Sequence, residues 1–168
     1  MLDLIVAHLF SNVNQENANR LYAIGFDAVN SLGLQVAMLG LYKTVGKIQM
    51  RLNKMLGRLQ RAVEYSKAYP LFIQKIDKEE KVYPTIIPNW DHTPRSGKAG
   101  TVLLNSTPEL FKKHCNEILN IVKNKEPENQ IIFLKSWNEW GEGNYMEPDL
   151  KFGKGYIEAL RLAIDENK

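Results

Sequence analysis

Short apolar segments alternate with segments of helical periodicity along this chain, and this alternation is the strongest constraint on its fold. Four segments have the composition of strands: residues 4–10, 26–30, 82–90 and 131–135. Helical patterns cover residues 14–24, 107–123 and 155–166. Strands that alternate with helices predict a parallel sheet with right-handed crossovers. The predicted fold class is therefore α/β, built from parallel βα units.

The length of the chain limits how much of such a fold it can contain. A closed (β/α)8 barrel typically needs about 250 residues, whereas this chain has 168. We predict one partial α/β barrel domain over residues 1–168. Three alternatives stay open at this point: a C-terminal fragment, a half-barrel that needs a partner, and a small open α/β sheet.

Local signals support the predicted helices. Thr107 followed by Pro108 is typical of a helix start, with Thr107 as the N-cap, and Gly25 is placed to end the first helix. In the helix after Pro108 we expect Cys115 to be buried and His114 to lie on the surface. A single cysteine favours a reducing compartment. The start of the chain has no basic region typical of a secretory signal, so we predict a cytoplasmic location.

A basic segment interrupts the alternation. Residues 28–63 contain no Asp or Glu, yet they carry six cations at intervals of three or four: Lys43, Lys47, Arg51, Lys54, Arg58 and Arg61. This spacing predicts a basic helical insertion at about residues 41–69, with all six cations on one face. Two interpretations stay open: a solvated face on an inward-packing helix, or contact with anionic lipid at the inner face of the membrane or with a lipid-linked substrate. Nucleic acid is not expected, because no aromatic residues interleave with the cations.

The most informative motif follows the fourth predicted strand. Ser136 ends the apolar run, and the sequence continues as WNEWGEGNYMEPD over residues 137–149. Ligands bind at the C-terminal ends of strands in α/β folds. Paired carboxylates act on glycosidic bonds, so Glu139 and Glu142 are the predicted catalytic residues. We predict substrate binding by side chains of the same loop: Trp137, Asn138, Trp140, Tyr145 and Glu147.

A second polar loop, NWDHTPRSG over residues 89–97, follows the third predicted strand. Parallel strands end at the same edge of a sheet, so both loops can face one site. We predict substrate contacts from Trp90, Asp91 and Arg95, with Arg95 holding an anionic group or orienting a carboxylate. The alternative is structural: Asp91 accepts amide hydrogen bonds, and Arg95 pairs with a nearby glutamate. His92 alone is a weak signal.

No cofactor is predicted. The three histidines are scattered, and no Cys/His cluster has the spacing of a metal site. The sequence also lacks a dinucleotide fingerprint, a Walker loop and a nucleophile elbow.

Both loops carry a family resemblance. VYPTIIPNWDHTPRSG, STPELF and FLKSWNEWGEGNYMEPDLKFGKGYIEAL resemble the WbsX-type glycosyltransferases, also described as glycoside hydrolase family 99-like domains. The resemblance is clearest from about residue 65 to residue 160. It implies the C-terminal half of a TIM-type (β/α)8 barrel, with the missing half as an expected partner. It also implies a glycosyltransferase of bacterial O-antigen or other surface polysaccharide synthesis, including lipopolysaccharide, that acts on a glycan or lipid-linked sugar.

The resemblance also implies roles for the two acids. In the related hydrolases, which act on α-mannosides, the residue matching Glu139 deprotonates a neighbouring sugar hydroxyl, which then attacks the anomeric carbon. The residue matching Glu142 acts as general acid and then base. Those hydrolases commonly carry His where this chain has Gly141, so the sequence leaves transfer and hydrolysis open. A non-catalytic glycan-binding or membrane-surface module is the alternative function.

Overall fold

The computed structural model describes residues 4–9, 14–41 and 44–168. The strands are β1 (Val6–Leu9), β2 (Ala28–Ser31), β3 (Arg61–Glu64), β4 (Val82–Ile86), β5 (Thr101–Leu104), β6 (Phe133–Leu134), β7 (Asn138–Glu139) and β8 (Asn144–Tyr145). The helices are α1 (Gln15–Ala23), α2 (Leu34–Leu41), α3 (Thr44–Met55), α4 (Tyr65–Ala68), α5 (Thr93–Ser96), α6 (Pro108–Val122) and α7 (Gly155–Glu166). Short 3₁₀ turns form several of the connections.

Four parallel strands form the main sheet in the order β1-β2-β4-β6. Val6 lies opposite Ala28, Val29 opposite Val82, and Thr85 opposite Phe133. Each crossover between neighbouring strands contains at least one helix. Parallel strands that follow one another in this way form a partial TIM-type barrel. The predicted fold class is confirmed, and the four main strands are those expected from the sequence, although each is shorter.

A second parallel pair, β3 with β5, was not predicted, and it corrects the interpretation of the basic segment. Arg61 lies opposite Thr101 in this pair. The helix that carries Lys47, Arg51 and Lys54 ends at Met55, and Gly57 follows with a φ of 61°. The predicted single helix over residues 41–69 is therefore wrong: it ends before this glycine, β3 follows, and the separate helix α4 covers Tyr65–Ala68. Arg58 and Arg61 do not share a helix face with the earlier cations, and Lys43 lies outside the described residues.

Helices α6 and α7 pack together and bury a core that includes Ile86 of β4. Thr107 is the N-cap of α6, as predicted, and its hydroxyl accepts a hydrogen bond from the Leu110 amide at 3.3 Å. Phe111, Cys115 and Ile118 of α6 are buried together with Ala163 of α7. Burial raises the pKa of the Cys115 thiol, which makes it a packing group. The prediction of a buried cysteine is confirmed.

The expected surface position of His114 is wrong. The imidazole is fully buried between Tyr69 and Phe72, with ring centroids 5.9 Å and 5.5 Å away. Burial lowers its pKa to about 3, so the ring is neutral. The apolar residues around Cys115 occupy one face of α6, so the sequence predicted that His114 lies outside that face. In the structure His114 faces the 3₁₀ turn over Tyr69–Leu71 instead of water.

Three apolar side chains of α3 are exposed. Ile48 is 59% exposed, Leu52 47% and Met55 84%. A solvated basic face on an inward-packing helix would have buried these residues, so that interpretation does not describe this helix. Within the described residues, no helix has both the length and the apolar character needed to cross a bilayer.

Candidate active site

The loops that follow β4 and β6 lie side by side, as the parallel topology predicts. The Asp91 amide donates to the Glu142 carbonyl at 2.8 Å. The side-chain amide of Asn144, which is fully buried, donates to the carbonyls of Asn89 at 2.7 Å and Lys135 at 2.9 Å. These hydrogen bonds join the two loops into one surface at the end of the sheet.

The second loop is a small hairpin formed by β7 and β8. Asn138 lies opposite Tyr145, and Glu139 lies opposite Asn144. Gly143 closes the turn with a φ of 50°, and a Cβ at this position would lie 2.7 Å from the Cβ of Asp91. Only glycine combines this backbone conformation with such a close approach. The turn places both glutamates on the side of the hairpin that faces the first loop.

Arg95 contacts both predicted catalytic residues. Its Nη1 donates to Oε1 of Glu142 at 2.7 Å, and its Nη2 donates to Oε1 of Glu139 at 2.9 Å. The Glu142 side chain is 16% exposed and the Glu139 side chain 42%. The two acids therefore converge on one guanidinium. The sequence left open whether Arg95 binds substrate or pairs with a glutamate. In the structure Arg95 pairs with a glutamate.

His92 completes the surroundings of Glu142. Its Nε2 lies 3.6 Å from Oε1 of Glu142, and its Nδ1 forms a 2.8 Å hydrogen bond with the Ser96 hydroxyl. At this distance the imidazole neighbours the carboxylate without a direct hydrogen bond. In the sequence His92 was a weak candidate, because an isolated histidine carries no spacing signal.

The aromatic residues of the hairpin form a stacked pair. The Trp140 and Tyr145 rings are 3.8 Å apart at an interplanar angle of 15°. Glu147 accepts a hydrogen bond from the Trp140 indole nitrogen at 2.6 Å, which fixes the orientation of that ring. Trp140 is 46% exposed and Trp137 50%. Two indoles are thus available to a sugar ring beside the acids, and Asn138 is exposed on the same hairpin.

Asp91 has the structural role that the sequence left open as an alternative to substrate binding. Its Oδ1 accepts from the Thr93 amide at 2.9 Å and from the Thr93 hydroxyl at 2.6 Å. These bonds begin the short helix α5 that carries Arg95. Asp91 thereby shapes the loop from which Arg95 reaches the glutamates.

Lys135 also lies at this site, although it was not among the residues predicted from the sequence. Its Nζ lies 5.1 Å from the centroid of the Trp90 ring, and the His92 ring stacks on Trp90 at 6.4 Å. A cation over an indole face is a favourable contact. The available signal was its position at the end of a buried strand, directly before the polar motif.

A cavity of about 690 Å³ opens beside Glu142. It is lined by Glu142, His92, Trp90 and Lys135, from the loops after β4 and β6. Residues of α2, α3 and β3 line it as well: Leu34, Met38, Leu39, Lys47, Met50 and Arg61. Its size is that of a typical small-molecule pocket. Across the described ranges no group of three or more His, Cys, Asp or Glu side chains could hold a metal ion.

Comparison with known proteins places the chain in a family. The family model described as Glycosyltransferase WbsX matches residues 3–160. The chain belongs to this family. It is 28% identical over 88 residues to the "Uncharacterized protein WxcX" of Xanthomonas campestris pv. campestris, in both strain B100 and strain ATCC 33913. That match covers 52% of this chain and 13% of the relatives.

One similar solved structure is described as a "Glycoside hydrolase-like protein". It superposes with a TM-score of 0.41 at 17% identity, over 82% of this chain and 37% of that chain. The match to the family model over residues 3–160 confirms the family expected from the two loops. At the level of the family, a carbohydrate-active role follows. The match to the curated relatives spans only 13% of their length.

Proposed function

We propose that this chain carries the acid pair of a glycosyltransferase that builds a bacterial O-antigen or another surface polysaccharide. The observation that carries the proposal is the convergence of Glu139 and Glu142 on Arg95 beside exposed indoles. Glycosidic chemistry needs two carboxyl groups near one anomeric centre and a surface that holds the sugar. Membership in the WbsX family supports transfer over hydrolysis as the reaction.

The roles of the two acids follow from their surroundings. Glu142 is the less exposed and has His92 within 3.6 Å, so we assign it the proton exchange with the oxygen of the glycosidic bond. Glu139 is more open and takes the proton of a sugar hydroxyl, as in the family 99 chemistry. Arg95 holds both carboxyl groups in position through its two hydrogen bonds.

The remaining side chains position the sugar. Trp137 and Trp140 offer ring faces to a pyranose, and Glu147 holds Trp140 through its indole nitrogen. Asn138 and Tyr145 flank the acids on the paired strands, where they can bind sugar hydroxyls. The proposal also covers the polymer that is made, its linkage and the strands that complete the barrel. These three points concern the whole enzyme.

A second candidate function is a glycan-binding module without catalysis. The exposed tryptophans favour it, because they provide a platform that binds a sugar whether or not the acids react. The two candidates differ in one respect: a binding module does not need ionisable groups at positions 139 and 142.

Replacement of Glu142 by glutamine tests the proposal. In a bacterium that depends on this gene for surface polysaccharide, we expect Glu142→Gln and Glu139→Gln each to lower polymer synthesis at least about 100-fold, the size of a lost acid–base step. Polymer is measured on gels of extracted polysaccharide. Glu16→Gln is the matched control, because Glu16 also pairs with an arginine, Arg20, at 2.6 Å but lies on exposed α1. Full polymer synthesis by Glu142→Gln, with a melting temperature equal to wild type, would leave only the binding module.

The basic helix suggests where the enzyme works. Lys47, Arg51 and Lys54 lie on α3 together with exposed Ile48 and Met55. Apolar and cationic side chains on one exposed helix are typical of helices that lie on anionic membranes. We infer that α3 contacts the inner face of the membrane and that the protein is cytoplasmic and peripheral.

A further inference from the structure

The glycine at position 141 is not explained by its backbone or by its packing. Gly141 lies at the centre of the 3₁₀ turn Trp140–Glu142. Its φ is outside the left-handed region that favours glycine, and a Cβ there would have no atom nearer than 3.4 Å. Gly143 differs in both respects, because it has a φ of 50° and a Cβ there would lie 2.7 Å from the Cβ of Asp91. The fold therefore requires glycine at position 143 but accepts a side chain at position 141.

The space over Gly141 borders the groups that we expect to react. A Cβ at this position would lie 3.4 Å from Oε1 of Glu139, and 3.4 Å and 3.5 Å from Nη2 and Nε of Arg95. Oε1 of Glu139 is the oxygen that accepts the hydrogen bond from Arg95. Gly141 is itself exposed. An incoming molecule can therefore reach Glu139 and one edge of the Arg95 guanidinium without any movement of the backbone.

The groups around this space suit two neighbouring oxygens of a sugar. Oε1 of Glu139 accepts hydrogen bonds, whereas Nη2 and Nε of Arg95 donate them from a fixed planar fork. One sugar hydroxyl can donate to Glu139 while the oxygen next to it on the ring accepts from Arg95. The positive charge of Arg95 is already matched by its ion pairs with both acids. A neutral hydroxylated ring therefore fits this space better than an anion.

We propose that Gly141 is a specificity-determining residue, and that the sugar ring with the reacting hydroxyl lies over its Cα, against Glu139 and Arg95. The proposal rests on the proposed function, because it assigns a place to the sugar whose proton Glu139 takes. Any side chain at position 141 would fill part of that place. One methyl group more or less in a pocket changes discrimination between ligands by about 10- to 200-fold. Glycine thus admits a sugar that a larger residue excludes.

The first test is Gly141→Ala in a bacterium that depends on this gene for surface polysaccharide. The 3₁₀ backbone accepts alanine, so the melting temperature of the purified chain should not fall. Polymer synthesis should nevertheless fall at least about tenfold, because the methyl group occupies the place of the sugar ring. Gly141→Val has a larger side chain and should lower polymer synthesis further. Full polymer synthesis by both variants would overturn the proposal.

Gly25→Ala is the matched control. It adds the same methyl group just after α1, where a Cβ would have no atom within 4 Å. The φ of 103° makes this variant the less stable of the two. Polymer synthesis, normalised to the amount of chain in the cell, should change less than about twofold, because a methyl group here meets no sugar. An equal loss in both variants would contradict a steric role for position 141.

A binding measurement separates a steric role from an effect on the acids. The probe is the set of oligosaccharides released by mild acid from the polysaccharide of the same bacterium, and calorimetry measures their binding to the purified chain. We expect Gly141→Ala to weaken this binding at least about tenfold. Loss of polymer synthesis without weaker binding would overturn the proposal, because the methyl group would then disturb the acids and not the sugar. Failure of the wild-type chain to bind any of the oligosaccharides would overturn it as well.

Glu139→Gln distinguishes this proposal from the proposed function. Glutamine keeps the volume and an oxygen that accepts hydrogen bonds, but it does not take the proton of a hydroxyl. This variant should therefore lose polymer synthesis and still bind the oligosaccharides within about threefold of wild type. Full polymer synthesis by Gly141→Ala, with a loss in Glu139→Gln, would refute the role of Gly141 alone. Full polymer synthesis by Glu139→Gln, with weaker binding by Gly141→Ala, would refute the role of Glu139 alone.

Discussion

The loop pair that carries the acids and the α2–α3 segment both border the cavity, but they are held in different ways. The loops after β4 and β6 are joined by hydrogen bonds through buried Asn144 and through the Asp91 amide. The α2–α3 segment, residues 34–55, exposes large apolar side chains such as Leu39 and Met55. The loop pair holds its side chains in fixed positions, as chemistry requires. The α2–α3 segment is suited to be covered by another molecule.

This contrast has an energetic basis. A buried amide that bridges two loops is costly to remove, because it leaves carbonyls without partners. An exposed apolar side chain contributes little to folding, because water reaches it in both the folded and the unfolded state. Matched substitutions in the two regions should therefore differ in their effect on the free energy of unfolding.

The largest difference is expected between Asn144→Ala and Asn53→Ala. Asn144 bonds two carbonyls in a buried position, whereas Asn53 bonds the Leu59 carbonyl at 3.0 Å at the edge of α3. We expect a loss of about 3 kcal/mol for Asn144→Ala and of about 1 kcal/mol or less for Asn53→Ala. Urea unfolding followed by circular dichroism measures both. Similar losses would mean that the two regions are equally well anchored.

A smaller difference is expected between two glycines with positive φ. Gly143 lies in the acid hairpin and Gly57 ends the α3 turn, with φ of 50° and 61°. Alanine at either site costs about 1 kcal/mol for the left-handed backbone. At position 143 the new methyl also meets Asp91, so Gly143→Ala should lose about 2 kcal/mol in total. The melting temperatures of the two variants separate the steric cost from the backbone cost; equal shifts would show that Asp91 moves aside freely.

The smallest effect on stability is expected for Met55→Ser. The side chain is 84% exposed, so the free energy of unfolding should change by less than about 0.5 kcal/mol. The same change should reduce flotation with vesicles of mixed neutral and anionic lipid, because Met55 belongs to the proposed membrane surface. Thr93→Ser, beside the acids, serves as a control for flotation. Unchanged flotation of Met55→Ser, or flotation that ignores anionic lipid content, would argue against a membrane role for α3.

The sequence was most informative where local chemistry determines structure. Thr107 and Pro108 gave the start of α6, and the apolar runs gave the four strands of the main sheet, because capping and burial act over a few residues. The order of the strands placed both polar loops at one edge. The acid pair could therefore be predicted from the sequence alone.

The failures occurred where long-range contacts decide. The regular spacing of cations continues past Gly57 by coincidence, so it predicted helix where β3 lies. This strand forms because it pairs with β5, more than 35 residues away in the sequence. The β5 segment has only four residues, TVLL, which is too short to show a reliable hydrophobic pattern of a strand. The double contact of Arg95 and the contact of Lys135 with Trp90 also depend on tertiary placement, so residue type alone suggested them only as alternatives or not at all.

The double ion pair of Arg95 has a consequence for the proposed reaction. Oε1 of each acid already accepts a hydrogen bond from the guanidinium. In the proposed reaction, a sugar hydroxyl therefore has to displace Arg95 from one of these oxygens before the carboxylate can take its proton. Arg95 thereby favours a sugar whose other contacts hold it long enough to make that exchange.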